Sequence, residues 1–349
     1  MKKLLKIILI VLLVAVVAVA GLFLWLTIAE YKPLPVEDAE YMCAGDNDFV
    51  RTGEALRVVS WNIGYAGLGA DSDFFMDGGK NVMAADKATV AKYLDGIEAT
   101  LKRLDPDIAM LQEVDKDSRH SYGTDEVYRL WMTGYSFAPN YVCPFVPFPL
   151  PPIGRVNSGV MTTTDDVYIE SAQRIALPCP FSWPIRVANL KRCLLVSYLP
   201  IEGSDKKLVM VNLHLEAYDN GEGKIAQTRQ LIDFITGEYE QGNYVIAGGD
   251  FNQAFPGSLE AYPTDPKLWE PGILDVGEIP EGWTLGYDLS SPSCRSLDRP
   301  YDASDEGFIR YVIDGFIVSP NITVNRVETV DEGFANSDHN PLQLSVTLN

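Results

Sequence analysis

The chain has 349 residues, enough for one large core, with 47% apolar and 22% charged residues, as in an ordinary globular protein. Its 28 Lys and Arg against 48 Asp and Glu leave a net charge of −20, and because Lys2, Lys3 and Lys6 are the only charges before Glu30 the remainder is more acidic still. Such a surface repels polyanions at long range and argues against tight nonspecific binding of nucleic acid, but it does not exclude an anionic substrate met at a bound cation.

From Ile7 to Ala29 the chain carries no charge and is mostly apolar. At about 1.5 Å per residue a helix of this length crosses a hydrocarbon core of about 30 Å. The lysines before it leave the N-terminus in the cytoplasm and the bulk of the chain outside. Residues 1–29 are therefore read as a membrane anchor. A signal peptide cleaved after Ala18-Val19-Ala20, giving a secreted protein, is the alternative. Leu22-Phe23-Leu24-Trp25-Leu26 continues the apolar run past that point and favours the anchor.

Residues 30–54 are acidic, contain Pro33 and Pro35, and read as a linker to a single domain over 55–349. Leu56 to Asn62 is strand-like. Ala84 to Leu104 has helical spacing, with Val90, Leu94, Ile97 and Leu101 on one face and Pro106 ending it. Asp107 to Leu111 is a short buried strand running into Gln112-Glu113. His120, in a polar stretch, reads as surface, and Asp71 and Asp73 lie in a Gly/Asp-rich loop that reads as solvated, with a structural cation as the alternative. Within Tyr135 to Gly154, Phe145, Phe148, Leu150 and Ile153 are interleaved with Pro144, Pro147, Pro149, Pro151 and Pro152. Prolines this dense argue against helix and central strand, so an apolar loop is expected, either packed on the domain or forming an apolar wall near a site or membrane.

Ser158 to Thr164, Cys193 to Leu199 and Lys207 to Leu215 read as strands, Lys224 to Tyr239 as an amphipathic helix, and Asn243 to Ala247, Arg310 to Val318 and Leu342 to Leu348 as further strands. None of the five cysteines forms a CxxC pair, which gives a zinc site little support. One or two disulfides among Cys143, Cys179, Cys193 and Cys294, or free thiols, are both compatible with the pattern.

Strand ends deliver Asn62, Glu113, His214, Asp250 with Asn252, and Asp338 with His339, and Asp314 is added from within a strand. Two of only three histidines stand among them. Carboxylate and amide oxygens suit a hard cation. A His backed by a carboxylate suits activation of water, and Asn and His suit charge developing on phosphoryl oxygens.

These motifs resemble the endonuclease/exonuclease/phosphatase superfamily, which includes DNase I-like nucleases, sphingomyelinases and inositol-polyphosphate 5-phosphatases. Trp61-Asn62-Ile63, Leu111-Gln112-Glu113-Val114, Asn212-Leu213-His214, Gly249-Asp250-Phe251-Asn252, Ile313-Asp314-Gly315-Phe316 and Ser337-Asp338-His339 follow the family order. The resemblance implies an α/β (α+β) fold, a DNase I-like four-layer sandwich of two packed mixed β-sheets flanked by helices, here preceded by a transmembrane helix. It implies Mg²⁺, or Mn²⁺ or Ca²⁺, held by Glu113 with Asn62 and Asp338. It makes His339 the base or water-orienting group, with Asp314 fixing its ring. Asp250 would position the water, and His214 and Asn252 would bind the phosphate and stabilise the transition state. Asn157 and Arg155 fall where members often contact substrate. Gly64 departs from the acidic residue some nucleases carry at that place.

Three substrate classes share such a site. A lipid-type phosphate ester fits the anchor, the acidic surface and the apolar Pro-rich segment. A nuclease fits the fold, but no basic, aromatic-interleaved patch is present. An inositol phosphatase would want more Lys and Arg than Lys191-Arg192 and Lys206-Lys207. A catalytically silent, membrane-tethered binding module is a fourth reading, against which Glu113, Asp250 and His339 are all retained. No obligate protein partner is implied.

Overall fold

The computed structural model describes residues 1–44, 48–219 and 221–349. Its elements in chain order are α1 (Lys2–Ile28), β1 (Val36–Asp38), β2 (Glu40–Cys43), β3 (Ala55–Asn62), α2 (Lys87–Leu104), β4 (Ile108–Asp115), α3 (Glu126–Leu130), β5 (Gly134–Val146) and β6 (Gly154–Thr164). Then follow β7 (Ser171–Ala176), β8 (Cys193–Pro200), β9 (Lys207–His214), α4 (Glu222–Glu240), β10 (Tyr244–Asp250), β11 (Thr284–Gly286), β12 (Asp314–Val318), β13 (Ile322–Thr329) and β14 (Leu342–Leu348). One 7-stranded sheet runs β1-β7-β8-β9-β10-β12-β11 and the other, also 7-stranded, β13-β14-β3-β4-β6-β5-β2.

The central strands β4, β8, β9, β10 and β12 read as near-continuous apolar runs because both of their faces are covered. Val58, Ile108, Met110, Leu208, Met210, Ile246, Phe316 and Leu344 pack between the sheets. Their neighbours face outward. Val59, Ala109 and Leu111 meet Val90, Leu94, Ile97 and Leu101 of α2. Val209, Val211, Val245 and Ala247 meet Leu231, Ile232 and Ile235 of α4. The result is the expected helix-sheet-sheet-helix sandwich. Asp86 caps α2 by accepting from Thr89 N at 2.8 Å, and the chain turns out through Asp105 at φ 49° just before Pro106.

A polar pair bridges the two sheets at their centre. Gln112 Nε2 donates to Asn212 Oδ1 at 2.9 Å, and Asn212 Nδ2 donates to Leu111 O at 3.1 Å and Met161 O at 2.8 Å. Both side chains are fully buried. Asn212→Ala strands these partners in an apolar interior. It should lower the unfolding free energy by about 2–3 kcal/mol, read as a lower denaturant midpoint at constant slope. An unchanged midpoint would show that the network adds nothing to stability.

Two expectations from sequence are corrected, and the open choice between disulfides and free thiols falls to free thiols. Tyr135 to Gly154 is not all loop, because β5 runs to Val146. β2 pairs only with Gly134 to Phe137, so beyond that point β5 is an edge. There Pro139 and Pro144 sit at shifts in its register with β6, where a proline breaks no ladder. The segment read as a linker supplies β1 and β2, which add an edge to each sheet. The five cysteines are all free.

Candidate active site

Two βαβ units explain where the polar residues meet. β3 and β4 are parallel across α2, and β9 and β10 are parallel across α4. All four C-terminal ends point to one rim of the sandwich. They deliver Asn62, Glu113, His214 and Asp250. β12 is antiparallel to β10, so its first residue, Asp314, lies opposite Asp250. β14 is antiparallel to β3, so the residues before it, Asp338 and His339, reach the same rim.

Local backbone sets the aim. Glu113 has φ 55° and lies inside a register shift between Leu111 and Val114, a bulge that turns its carboxylate toward the rim. Asn252 has φ 50°, and its N–H closes an Asx turn on Asp250 Oδ1 at 2.8 Å. Gly249 must be glycine, since a Cβ there would meet Leu213 O at 1.9 Å. Gly64 has φ +51°, and its Cβ would meet Asp338 Oδ1 at 2.9 Å. This close approach explains why no acidic side chain stands there.

The side chains converge on Asp250. Its Oδ2 accepts from Asn62 Nδ2 at 3.1 Å and lies 3.4 Å from His214 Nε2 and 3.7 Å from His339 Nε2. Asn62 Nδ2 also reaches Glu113 Oε1 at 3.0 Å, so one amide ties the carboxylates of the two sheets together. His339 Nδ1 is 2.8 Å from Asp314 Oδ2. Ser337 Oγ fixes the turn by donating to Asn62 O at 2.7 Å. Asn252 Nδ2 donates to Leu215 O at 3.0 Å.

Burial dominates the electrostatics. It raises Asp250 and Asp338 each to about 6, against the opposing pull of His339, and it raises Glu113. Burial alone would lower His339, but Asp314 and Cys294 hold its pKa well above the usual value. Burial, with Arg192 and His339 adding to it, drives His214 well below. The site thus pairs a cationic imidazole, braced by Asp314, with a neutral one.

These carboxylates need a counter-charge. Glu113, Asp250 and Asp338 are held at raised pKa values by burial, and Asp314 Oδ1 is buried without a hydrogen-bond partner. Ligand atoms of Asp250, Asp314 and His339 lie within 4.8 Å of one another, as do those of Cys294, Asp338 and His339. A cluster of hard carboxylate oxygens fits a divalent cation of the Mg²⁺, Mn²⁺ or Ca²⁺ type.

Two sequence candidates are not brought in. Along β6 the two-residue period turns Val156 and Ser158 inward and Arg155 and Asn157 outward. Arg155 is spent on an exposed ion pair with Asp117, and neither residue lines the site's cavity. Ser158 does. Three other groups were missed. His120 is buried, not on the surface, because its ring stacks on Tyr65 at 4.0 Å and its Nε2 lies 2.8 Å from Asp115 Oδ2. Asp77 accepts from Tyr218 OH at 3.0 Å and is pushed up to about 7 by burial. Arg192 is buried beside Glu216 at 3.7 Å and donates to His214 O at 3.4 Å. All three line the cavity, but they come from a loop, a single 3₁₀ turn and the residue before β8, where no periodicity marks them. Asp73 closes its own loop by accepting from Lys80 N and Asn81 N at 2.8 and 2.7 Å.

A model of the endonuclease/exonuclease/phosphatase family matches residues 59–339, a span that holds every residue of this cluster. The chain belongs to this family. Family members are phosphoesterases and nucleases that generally depend on a divalent metal. Among solved structures, the family protein from Beutenbergia cavernae DSM 12333 is 18% identical, with TM-score 0.57, covering 84% of this chain and 72% of that one. The 2',3'-cyclic phosphatase ANGEL2, in complex with adenosine-2',3'-vanadate, gives 15%, 0.54, 89% and 99%. The human Nocturnin catalytic domain with a bound sulfate gives 16%, 0.51, 89% and 97%. At these identities the likeness is one of fold. No curated protein matches the chain by sequence.

Proposed function

We propose that this family member is anchored in a membrane by α1, with its domain outside the cytoplasm, and hydrolyses a lipid-type phosphate ester at a divalent cation. One observation carries the reading. The cluster of Glu113, His214, Asp250, Asp338 and His339 lines a cavity of about 620 Å³ that is walled elsewhere by aromatic and aliphatic side chains, among them Phe75, Val146, Phe148 and Val187. Pockets of about 300–1,000 Å³ with apolar walls and a few converging polar groups take amphiphilic ligands. Two guanidiniums line it: Arg295 is spent on Leu68 O, Gly69 O and Ser72 O, whereas Arg192 makes one long bond to His214 O at 3.4 Å and keeps its buried Nε without a hydrogen-bond partner. That suits one phosphoryl group rather than a polyphosphate.

The roles follow from chemistry and position. Glu113 and Asp338 hold the cation, with Asn62 bracing Glu113. The cation supplies Lewis-acid stabilisation of charge on the phosphoryl oxygens. Asp250 orients the attacking water and draws its proton. His339, kept cationic by Asp314 and therefore a donor in place of the base or water-orienting group that the family resemblance implies, and neutral His214 donate to phosphoryl oxygens from the other side, and Asn252 adds an amide donor.

The full-length protein in nanodiscs, given Mg²⁺ or Mn²⁺, should cleave phospholipid or sphingomyelin and leave plasmid DNA intact. EDTA should stop the reaction. Cleavage of DNA with lipid untouched would make it a tethered nuclease, and no cleavage of either would favour the silent binding module.

A further inference from the structure

The cavity has a wall that belongs to the anchor. Phe23 and Leu26, from the last turns of α1, line the same space as Asp250 and His339. Leu26 is fully buried and packs with Cys143, Val146, Val156 and Val187 of the domain. Phe23 meets Trp183 edge-on at 6.3 Å, and Trp183 Nε1 donates to Thr27 Oγ1 at 3.1 Å. Just beyond the helix, buried Glu30 accepts from Arg186 Nε at 2.9 Å and lies 3.4 Å from Lys191 Nζ. Apolar packing and a buried ionic clasp thus fix the end of α1 against the catalytic domain, where a flexible tether would leave it free.

The surroundings point the same way. On the loops flanking this docking point Phe148 is 67% exposed, Leu150 88%, Trp183 56% and Ile185 61%. Water-facing side chains of this kind, beside a helix able to span a bilayer, mark a surface that lies on the membrane, with Trp at the interface. The cavity therefore meets the bilayer at the level of the lipid headgroups. We propose that α1 is a wall of the substrate site. A lipid from the adjoining leaflet slides sideways along Phe23 and Leu26, its chain lying between α1 and the loop carrying Phe148 and Ile153, until its phosphate reaches Asp250 and His339. The proposal rests on the lipid reading above and goes beyond it: the anchor completes the site, so a cleaved, soluble domain would lack part of it.

The test uses full-length protein in nanodiscs of phosphatidylethanolamine, phosphatidylglycerol and sphingomyelin. Release of lipid product is compared with turnover of bis(para-nitrophenyl) phosphate, an ester without a chain. Leu26→Trp narrows the cavity from the helix side and Phe23→Ala removes its outer wall, the latter serving if Trp at 26 does not fold. Ile153→Trp narrows the cavity from the domain side. Both α1 variants and Ile153→Trp are expected to lower the ratio of lipid to chainless turnover at least about tenfold. That ratio unchanged in both α1 variants but lowered in Ile153→Trp would overturn the role of α1 and leave the lipid reading standing. Chainless turnover by wild type with no lipid product would overturn the lipid reading and this proposal with it.

Discussion

Asp250→Asn is expected to lower kcat by about 10³-fold or more and to leave the protein folded. The substitution keeps volume and shape. The Asx turn to Asn252 N survives, because an amide oxygen accepts that bond as a carboxylate does. What is lost is the charge at Oδ2, where Asn62, His214 and His339 converge. Without it no carboxylate draws the proton from water at that point. The stability half of the prediction follows from the same burial. Asp250 is ionised at neutral pH although burial lifts its pKa to about 6, so the folded state holds a charge it disfavours. A neutral side chain relieves this desolvation, but with Oδ1 kept on Asn252 N its Nδ2 faces the Asn62 amide and the cationic His339, donor against donor, so the two effects oppose and the melting temperature should move little. A variant that is far slower yet melts near wild type separates the chemistry of this carboxylate from folding. Turnover of bis(para-nitrophenyl) phosphate and a melting curve in EDTA read the two halves separately. A loss of less than about tenfold would remove Asp250 from the chemistry. His339→Ala should be as slow, but it strands Asp314 beside a hole and should melt lower, which makes Asp250→Asn the cleaner test.

Much of this was legible in the sequence, for physical reasons that also mark its limits. Strands covered on both faces read as long apolar runs, so β3, β4, β9 and β10 were visible with the residues at their ends, and β14 was visible by its alternation. Because parallel βαβ units send strand ends to one rim, six separated motifs can be placed together from their strand-end positions alone. Strands at the edges were not visible. β13 has the burial of a half-wet edge, and β1 and β2 are three and four residues long. β5 hid behind prolines that matter only in a central strand. Arg155 was misplaced because the period of a strand decides which side faces the site, and sequence fixes the period without fixing the side. His120 looked polar among polar neighbours, and only the stacking on Tyr65, itself at φ 41°, draws it inside.

Removing the metal should abolish turnover and should also reverse the way stability responds to pH. Asp250 and Asp338 both stand near 6 in the metal-free fold, against about 3.9 for an unfolded Asp. A raised folded-state pKa means that the folded protein binds the proton more tightly than the unfolded chain. The stability this contributes is present below about pH 4 and is lost as pH rises through about 6. Over the fall from pH 8 to 5 the lowered His214 loses stability while the raised His339 gains it, and the two oppose each other, so in EDTA the melting temperature should climb by roughly 5 °C or more if the two Asp together contribute on the order of 2–4 kcal/mol. A divalent cation held by Glu113 and Asp338 takes the place of the protons, so Mg²⁺ should stabilise most at pH 8 and hardly at all at pH 5, where protons compete for the same oxygens. The net charge of −20 also relaxes on acidification and in any added salt. The decisive quantity is therefore the difference in melting temperature between Mg²⁺ and Na⁺ at equal ionic strength, followed across pH. That difference should shrink through about pH 6 in the wild type and be nearly absent at every pH in Glu113→Gln/Asp338→Asn. A Mg²⁺ effect that is flat with pH, or that persists in the double variant, would place the cation on the acidic surface and not at this rim.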